Sequence, residues 1–328
     1  KFCKKTFFLK SMNMKKTLSI FLNFLSKSMN KFFYKKGIVV IFKNGSAFGE
    51  HVYMTSIIKE ISLNKKKIYL FTRNDKIFLN NPRITKIFKL SDNSIIWFFL
   101  KNLIGSNILE FNSIHATKNN HEVQKKYFLN FHSNNRIHLA QAMSEHFDLG
   151  LKYEDLENEF FFSDGEIKKF TKEINLPSKF SLIQSTSKHS FTKNKEWKIG
   201  GMQSIIDYFN NIKWIQIGKE GEPILNNCEN KLNLNIREVA FVISKCEFIV
   251  TYEGLFNHLA SCFKKKSFVI HTGFLPIEAF KYKKSIIIEK NSEMDCYPCF
   301  KLDCNSHLKK ILVNMNTEYV LNKIESNL

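Results

Sequence analysis

A carboxylate stands where an apolar run gives way to a glycine-bearing turn, in Asn44-Gly45-Ser46-Ala47-Phe48-Gly49-Glu50-His51. Glycine lets the backbone approach a ligand closely, and a carboxylate at such a turn can take a proton from an acceptor hydroxyl. The plainer role for Glu50 is to favour a helix N-terminus through the dipole. A second group opens with Gln184-Ser185-Thr186-Ser187 and continues past a polar loop to Lys195-Glu196-Trp197. Hydroxyls and a lysine ahead of a helix start can hold a diphosphate, because the helix presents free N–H groups and the lysine adds a point charge. An ordinary polar strand-to-helix loop would read the same way. Gly218-Lys219-Glu220-Gly221-Glu222 closes a strand with two acids that could accept hydrogen bonds from ribose hydroxyls, although turn acids are commonplace.

The run Thr251-Tyr252-Glu253-Gly254-Leu255-Phe256-Asn257-His258 is more pointed. A buried strand enters Glu-Gly and a helix follows with His258 on its first turn, so backbone amides and an imidazole are aimed at an anion. A packed or capped histidine is the competing reading. Cys296, Cys299 and Cys304 have C-x2-C-x4-C spacing, three corners of a tetrahedral thiolate site with His307 close enough to be considered. Reduced thiols in a tight turn fit the same spacing.

These groups need a scaffold that gathers strand ends. Short apolar runs alternate with amphipathic segments, the pattern of parallel sheets covered by helices. Strands are expected at Gly37–Phe42, Lys67–Thr72, Thr85–Leu90 and Asn107–Phe111, then at Phe180–Ser185, Lys213–Gly218, Cys246–Tyr252, Ser267–His271 and Ser285–Glu289. Helices are expected near His51–Ser62, Ser94–Leu103, Arg136–Phe147, Gly200–Asn210, Ile236–Ser244, Gly254–Phe263 and Thr317–Ile324. The charged stretch Ser163–Lys179 is the best place for a domain junction. The expected fold is therefore α/β, with two facing Rossmann-like domains and a cleft between them at the carboxyl ends of both sheets.

Length and composition agree. A chain of 328 residues, 44% hydrophobic and 24% charged, suits two α/β domains and offers no apolar run of spanning length. The net charge of +20 would attract phosphate backbones, but the lysines are scattered and the 33 phenylalanines fit an AT-rich genome, so nucleic acid is not the expected partner. An anionic inner membrane leaflet or a phosphorylated glycolipid suits a basic surface better. Seven cysteines, four of them isolated, point to a reducing compartment and hence to the cytoplasm. Residues 1–36 form a basic leader of ten lysines and no acid, read as a poorly ordered segment or a membrane-surface helix. The chain does not begin with Met, and Met12, Met14 and Met29 are alternative starts.

Taken in order from about Gly37 to Ile324, these segments resemble glycosyltransferase family 9, the bacterial heptosyltransferases of lipopolysaccharide biosynthesis. Gly49-Glu50 sits where that family has Gly-Asp, whose Asp is the proposed base. Lys195-Glu196-Trp197 is similar to its K-x-W, which implies that Lys195, Ser185 and Thr186 contact the donor diphosphate. The turn at Gly218–Glu222 resembles the ribose-binding stretch, with Glu222 its acid, and Leu234 would pack on the nucleobase. Tyr252-Glu253-Gly254-Leu255-Phe256-Asn257-His258-Leu259-Ala260 resembles the block D-[ST]-G-x-x-H-[LI]-A, with Tyr252 in place of Asp, and implies donor contacts at Glu253, Gly254, Leu255 and His258. The ending C-x-P-C-F-x-x-x-C is similar to that of the second inner-core heptosyltransferase, which has a further cysteine where this chain has Ile311.

The resemblance implies a GT-B architecture, with an acceptor domain over 37–170 and a nucleotide-sugar donor domain over 171–328. It implies inverting transfer of a sugar, heptose from ADP-heptose by default, to a lipopolysaccharide or other glycan acceptor. No cofactor is required, a structural metal at the cysteines is possible, and domain closure would carry Glu50 to the donor. A sugar-nucleotide epimerase and a degenerate nucleotide-sugar-binding protein without turnover are the alternatives.

Overall fold

The computed structural model describes residues 37–43, 47–64, 67–90, 108–109, 137–145, 149–187, 192–197, 199–290, 297–299 and 315–328. The leader, the helix expected near 94–103, Cys296, Cys304 and His307 lie outside these residues. The chain divides into two compact units, one drawn from Lys1–Ser46 and Ile58–Ser113, the other from Ala47–Ile57 and Ile114–Leu328.

The first unit is built on four parallel strands, β1 (Ile38–Lys43), β2 (Lys67–Thr72), β3 (Lys86–Lys89) and β4 (Ile108–Leu109), in the order β3-β2-β1-β4. Ile41, Ile68 and Leu70 are fully buried. Helix α1 (Phe48–Leu63) follows β1 and starts three residues earlier than its apolar periodicity suggested, so Gly49 and Glu50 belong to its first turn. Its opening half, to Ile57, clusters with the second unit.

The second unit holds α2 (Leu139–Glu145), α3 (Asp164–Glu173), β5 (Ser181–Ile183), α4 (Ile199–Tyr208), β6 (Trp214–Ile217), β7 (Glu229–Lys231), α5 (Ile236–Lys245), β8 (Phe248–Tyr252), α6 (Leu255–Cys262), β9 (Lys266–Ile270), β10 (Ser285–Ile288) and α7 (Thr317–Glu325). Its six strands are parallel in the order β10-β9-β8-β5-β6-β7. Every residue of β5, β6 and β8 is buried, which explains why these strands read as continuous apolar runs. β7 gave no such signal. Its Glu-Asn-Lys sequence pairs with β6 alone and forms the sheet edge, where polar side chains reach water.

Local sequence fixes the helix starts. Ser163 with Glu166 and Asn235 with Glu238 form capping boxes, and Asn316 caps α7. The expected junction is tied into the second unit by Arg237 of α5. Its buried guanidinium pairs with Glu166, donates to the Phe161 carbonyl and lies 4.9 and 5.3 Å from the ring centroids of Phe160 and Phe162. Thr55 of α1 joins the same segment by accepting the Glu159 N–H at 2.8 Å.

Candidate functional site

Strand order in the second sheet reverses around β5, which lies between β8 and β6. In open α/β sheets the carboxyl ends at such a switch point form the natural ligand crevice. Thr186 and Ser187 follow β5, Glu253 and Gly254 follow β8, and His271 follows β9. The loop bearing Lys195 is anchored by Trp197, whose indole N–H donates to the Met315 carbonyl at 3.0 Å. Gly201 makes room for that ring, since a Cβ there would stand 2.5 Å from it. The K-x-W spacing thus has a physical basis: the tryptophan is core, and the lysine two residues earlier is held over the strand ends.

Lys195 and Glu253, 58 positions apart in the chain, meet at 2.9 Å, and His271 Nε2 lies 3.1 Å from the other oxygen of Glu253. The Lys195 ammonium also sits 4.8 Å from the centre of the Phe274 ring. Burial opposes a charge on Glu253, but Lys195 and the His271 hydrogen bond outweigh it and hold the carboxyl at about 2. Neighbouring Tyr252, where the related family pattern has Asp, points into the core and donates to the Trp197 carbonyl at 3.1 Å. The carboxylate therefore sits one position later, in the turn just beyond the strand.

Gly254 has φ +146°, a conformation that side chains rarely adopt, and its carbonyl accepts the His258 N–H at 3.1 Å. This turn starts α6 and brings His258 to the opening of α1. A Cβ at Gly49 would lie 3.0 Å from His258 Cδ2, 3.5 Å from Nε2 and 3.7 Å from the Leu255 nitrogen. Only glycine fits there without displacing the imidazole. The Glu50 turn and His258 consequently share one unit, and Glu50 itself is buried in the first turn of α1. This differs from the expectation that they belong to separate domains joined by closure.

His258 lies within an aromatic group: Tyr53 at 5.4 Å, and Tyr282 at 5.7 Å with its hydroxyl 2.7 Å from Nδ1. Burial, aided by nearby Lys195, lowers the His258 pKa to about 3 against a smaller pull from Glu253, so the ring is neutral. Sequence reading missed His138 and His271. His138 is buried 4.9 Å from the Tyr282 ring and accepts the Ala140 N–H at 3.0 Å through Nδ1, which leaves its proton on Nε2. That nitrogen has no hydrogen-bond partner among the described residues, and burial together with His258 pushes its pKa well down. A lone histidine in an apolar run at a helix start was the only available signal.

The other expected residues divide. Ser185 is buried and its hydroxyl accepts from Gln216 at 2.9 Å. The buried Thr186 and Ser187 hydroxyls have no hydrogen-bond partner among the described residues, while the Ser187 N–H is held by Glu196 at 2.9 Å. Glu222 folds back over Gly218, where a Cβ would stand 2.3 Å from its Oε2. Leu234 lines a cavity of about 210 Å³ with Glu173, Ile174, Asn230, Lys231, Leu232 and Asn233, none of which belongs to the Lys195 group. Cys299 is buried with its N–H bonded to the Gly273 carbonyl at 2.9 Å, two residues from His271. No group of potential metal ligands occurs among the described residues.

No protein-family model matches the sequence and no curated protein matches it. Solved structures do. A glycosyl transferase family 9 protein from Veillonella parvula superposes with TM-score 0.62 at 12% identity, covering 88% of this chain and 96% of that one. The fold is that of the family 9 glycosyltransferases. The E. coli ADP-heptose lps heptosyltransferase II has the same GT-B fold, with TM-score 0.56 at 10% identity over 88% of this chain and 98% of its own. E. coli heptosyltransferase WaaC, solved with ADP-2-deoxy-2-fluoro heptose, gives TM-score 0.52 at 12% identity over 89% of this chain and all of its own, 100%. At such identities the GT-B fold is what carries across, and the chemistry has to be argued from the side chains. No helix among the described residues is long and apolar enough to cross a membrane.

Proposed function

We propose that this protein is an inverting glycosyltransferase that moves a sugar from a nucleotide-sugar donor to a lipopolysaccharide or other cell-surface glycan, with ADP-heptose the first donor to try. The observation that carries the reading is the gathering of Lys195, Glu253 and His258 at the switch point of the second sheet, with the Gly49 turn packed on His258. In this reading the donor diphosphate meets Lys195, the Thr186 and Ser187 hydroxyls and the amides that open α6. They stabilise the charge that develops on the leaving group, and no metal is required for that role. The acceptor oxygen attacks the anomeric carbon as the bond to the diphosphate breaks. Its proton passes to Glu50 and the electron pair leaves with the diphosphate. Glu222 and Leu234 would then take the ribose and base. The reducing compartment that the isolated cysteines suit would place the reaction in the cytoplasm, where the basic surface would favour an anionic leaflet carrying the acceptor.

Saturation-transfer NMR against a panel of nucleotide sugars tests the site, comparing wild type with Lys195→Ala and His258→Ala after thermal melts confirm that both fold. One nucleotide sugar should bind wild type, and both variants should lose it. If none binds, or the variants bind as well as wild type, the assignment is wrong. Binding without product in the presence of lipopolysaccharide acceptors would instead favour a nucleotide-sugar-binding protein without turnover.

A further inference from the structure

We propose that Tyr282 is a positioning residue that fixes the tautomer of His258, presenting an Nε2–H donor toward the Gly49–Glu50 turn. The inference deepens the reading of His258 as a donor-site residue and rests on it. Tyr282 comes from the loop between β9 and β10, and its own N–H donates to Ser285 Oγ at 3.2 Å. Its hydroxyl lies 2.7 Å from His258 Nδ1, and the two rings are nearly perpendicular at 89°.

The surrounding hydrogen bonds determine which partner holds the proton. Asn158 and Ser261 also stand beside the phenol. The Asn158 amide N–H donates to Ser261 Oγ at 2.8 Å, and the Ser261 O–H donates to the His258 carbonyl at 2.7 Å. These bonds use the Ser261 proton and one of the two Asn158 N–H protons, and a further Asn158 N–H donated to the phenol oxygen leaves the phenol's own proton for another partner. Burial raises the Tyr282 pKa, so the phenol keeps its proton, and the ring nitrogen 2.7 Å away is within hydrogen-bond distance to accept it. With Nδ1 accepting, the neutral imidazole must carry its hydrogen on Nε2. That edge of the ring faces the opening of α1, since a Cβ at Gly49 would lie 3.5 Å from Nε2. An imidazole with the opposite tautomer would offer a lone pair to an incoming diphosphate oxygen and repel it.

Nitrogen-15 NMR of the histidine side chains in the full-length protein reads the tautomer directly, before any substitution. Wild-type His258 should show a pyrrole-type Nε2 and a pyridine-type, hydrogen-bonded Nδ1. Tyr282→Phe keeps the ring and removes only the hydroxyl. Its His258 shifts should converge as the tautomers mix, and its Kd for ADP should rise about 3- to 10-fold, the effect of a weakened hydrogen bond to a charged group. A wild-type proton on Nδ1 would overturn the proposal, as would unmoved His258 shifts in Tyr282→Phe. An unchanged ADP affinity beside converged shifts would overturn the link to the ligand. If the shifts converge while wild type binds neither ADP nor ADP-heptose, the tautomer assignment stands and the transferase reading falls.

Discussion

Two glutamates at strand ends of the same sheet have opposite circumstances. Glu253, beyond the central strand β8, is buried and held from two sides by Lys195 and His271. Glu222, beyond β6 toward the sheet edge, is half-buried and curls over the glycine of its own turn. A central strand end is walled by neighbours on both sides, so a charge placed there is stable only with fixed partners. β6 is flanked as well, by β5 and β7, but the turn after it leaves Glu222 only partly buried. Preorganised electrostatics therefore belong at the switch point, and any adaptable contact to a ligand belongs at the partly exposed turn after β6.

The largest test of this contrast is Glu253→Gln against Glu222→Gln. The first leaves a lysine and a histidine around a neutral amide and should cost about 3–5 kcal/mol in urea denaturation, the second about 0.5 kcal/mol or less. Equal losses would remove the distinction. Acid should then pick out the switch-point region. His258 and His138 are neutral when folded, with pKa values below that of the free side chain, so the unfolded chain takes up their protons first. Stability should be flat well above pH 6.5 and fall as the pH drops through and below it, by about 1.4 kcal/mol at pH 5.5 for His258, with His138 acting in the same direction. His258→Asn should make that slope shallower. Next, Gly49→Ala forces a methyl against the imidazole and should cost about 1–3 kcal/mol, whereas Gly200→Ala, with open space around it, should gain up to about 1 kcal/mol in the same melts. The smallest effect should come from Leu234→Ala at the edge cavity, about 1 kcal/mol or less by thermal denaturation.

What could be read in advance follows from the range of the forces involved. Parallel strands buried on both faces are continuous apolar runs, so β5, β6 and β8 stand out from their own residues. The edge strand β7 had no burial to advertise it. The Glu-Gly turn and the lysine ahead of Trp197 were visible as local motifs, but their meeting was not, because 58 residues separate Lys195 from Glu253. Tyr282 and His271 reach the site from loops whose local sequence is unremarkable. Tyr252 looked like a lost acid. In the structure it is a core residue whose hydroxyl ties β8 to the Trp197 loop, while the acid stands beside it. The opening of α1 was mislocated because glycine, a weak helix former, lies inside the first turn, where the contact with His258 requires it.

The Lys195–Glu253 pair also bears on ionic strength. The positive charge of Lys195 is offset by Glu253 beside a neutral His258, even though the whole chain carries +20. A ligand diphosphate would enter by competing with a carboxylate already in place. Salt should therefore slow its arrival through the long-range field of the protein, and leave its residence time almost unchanged.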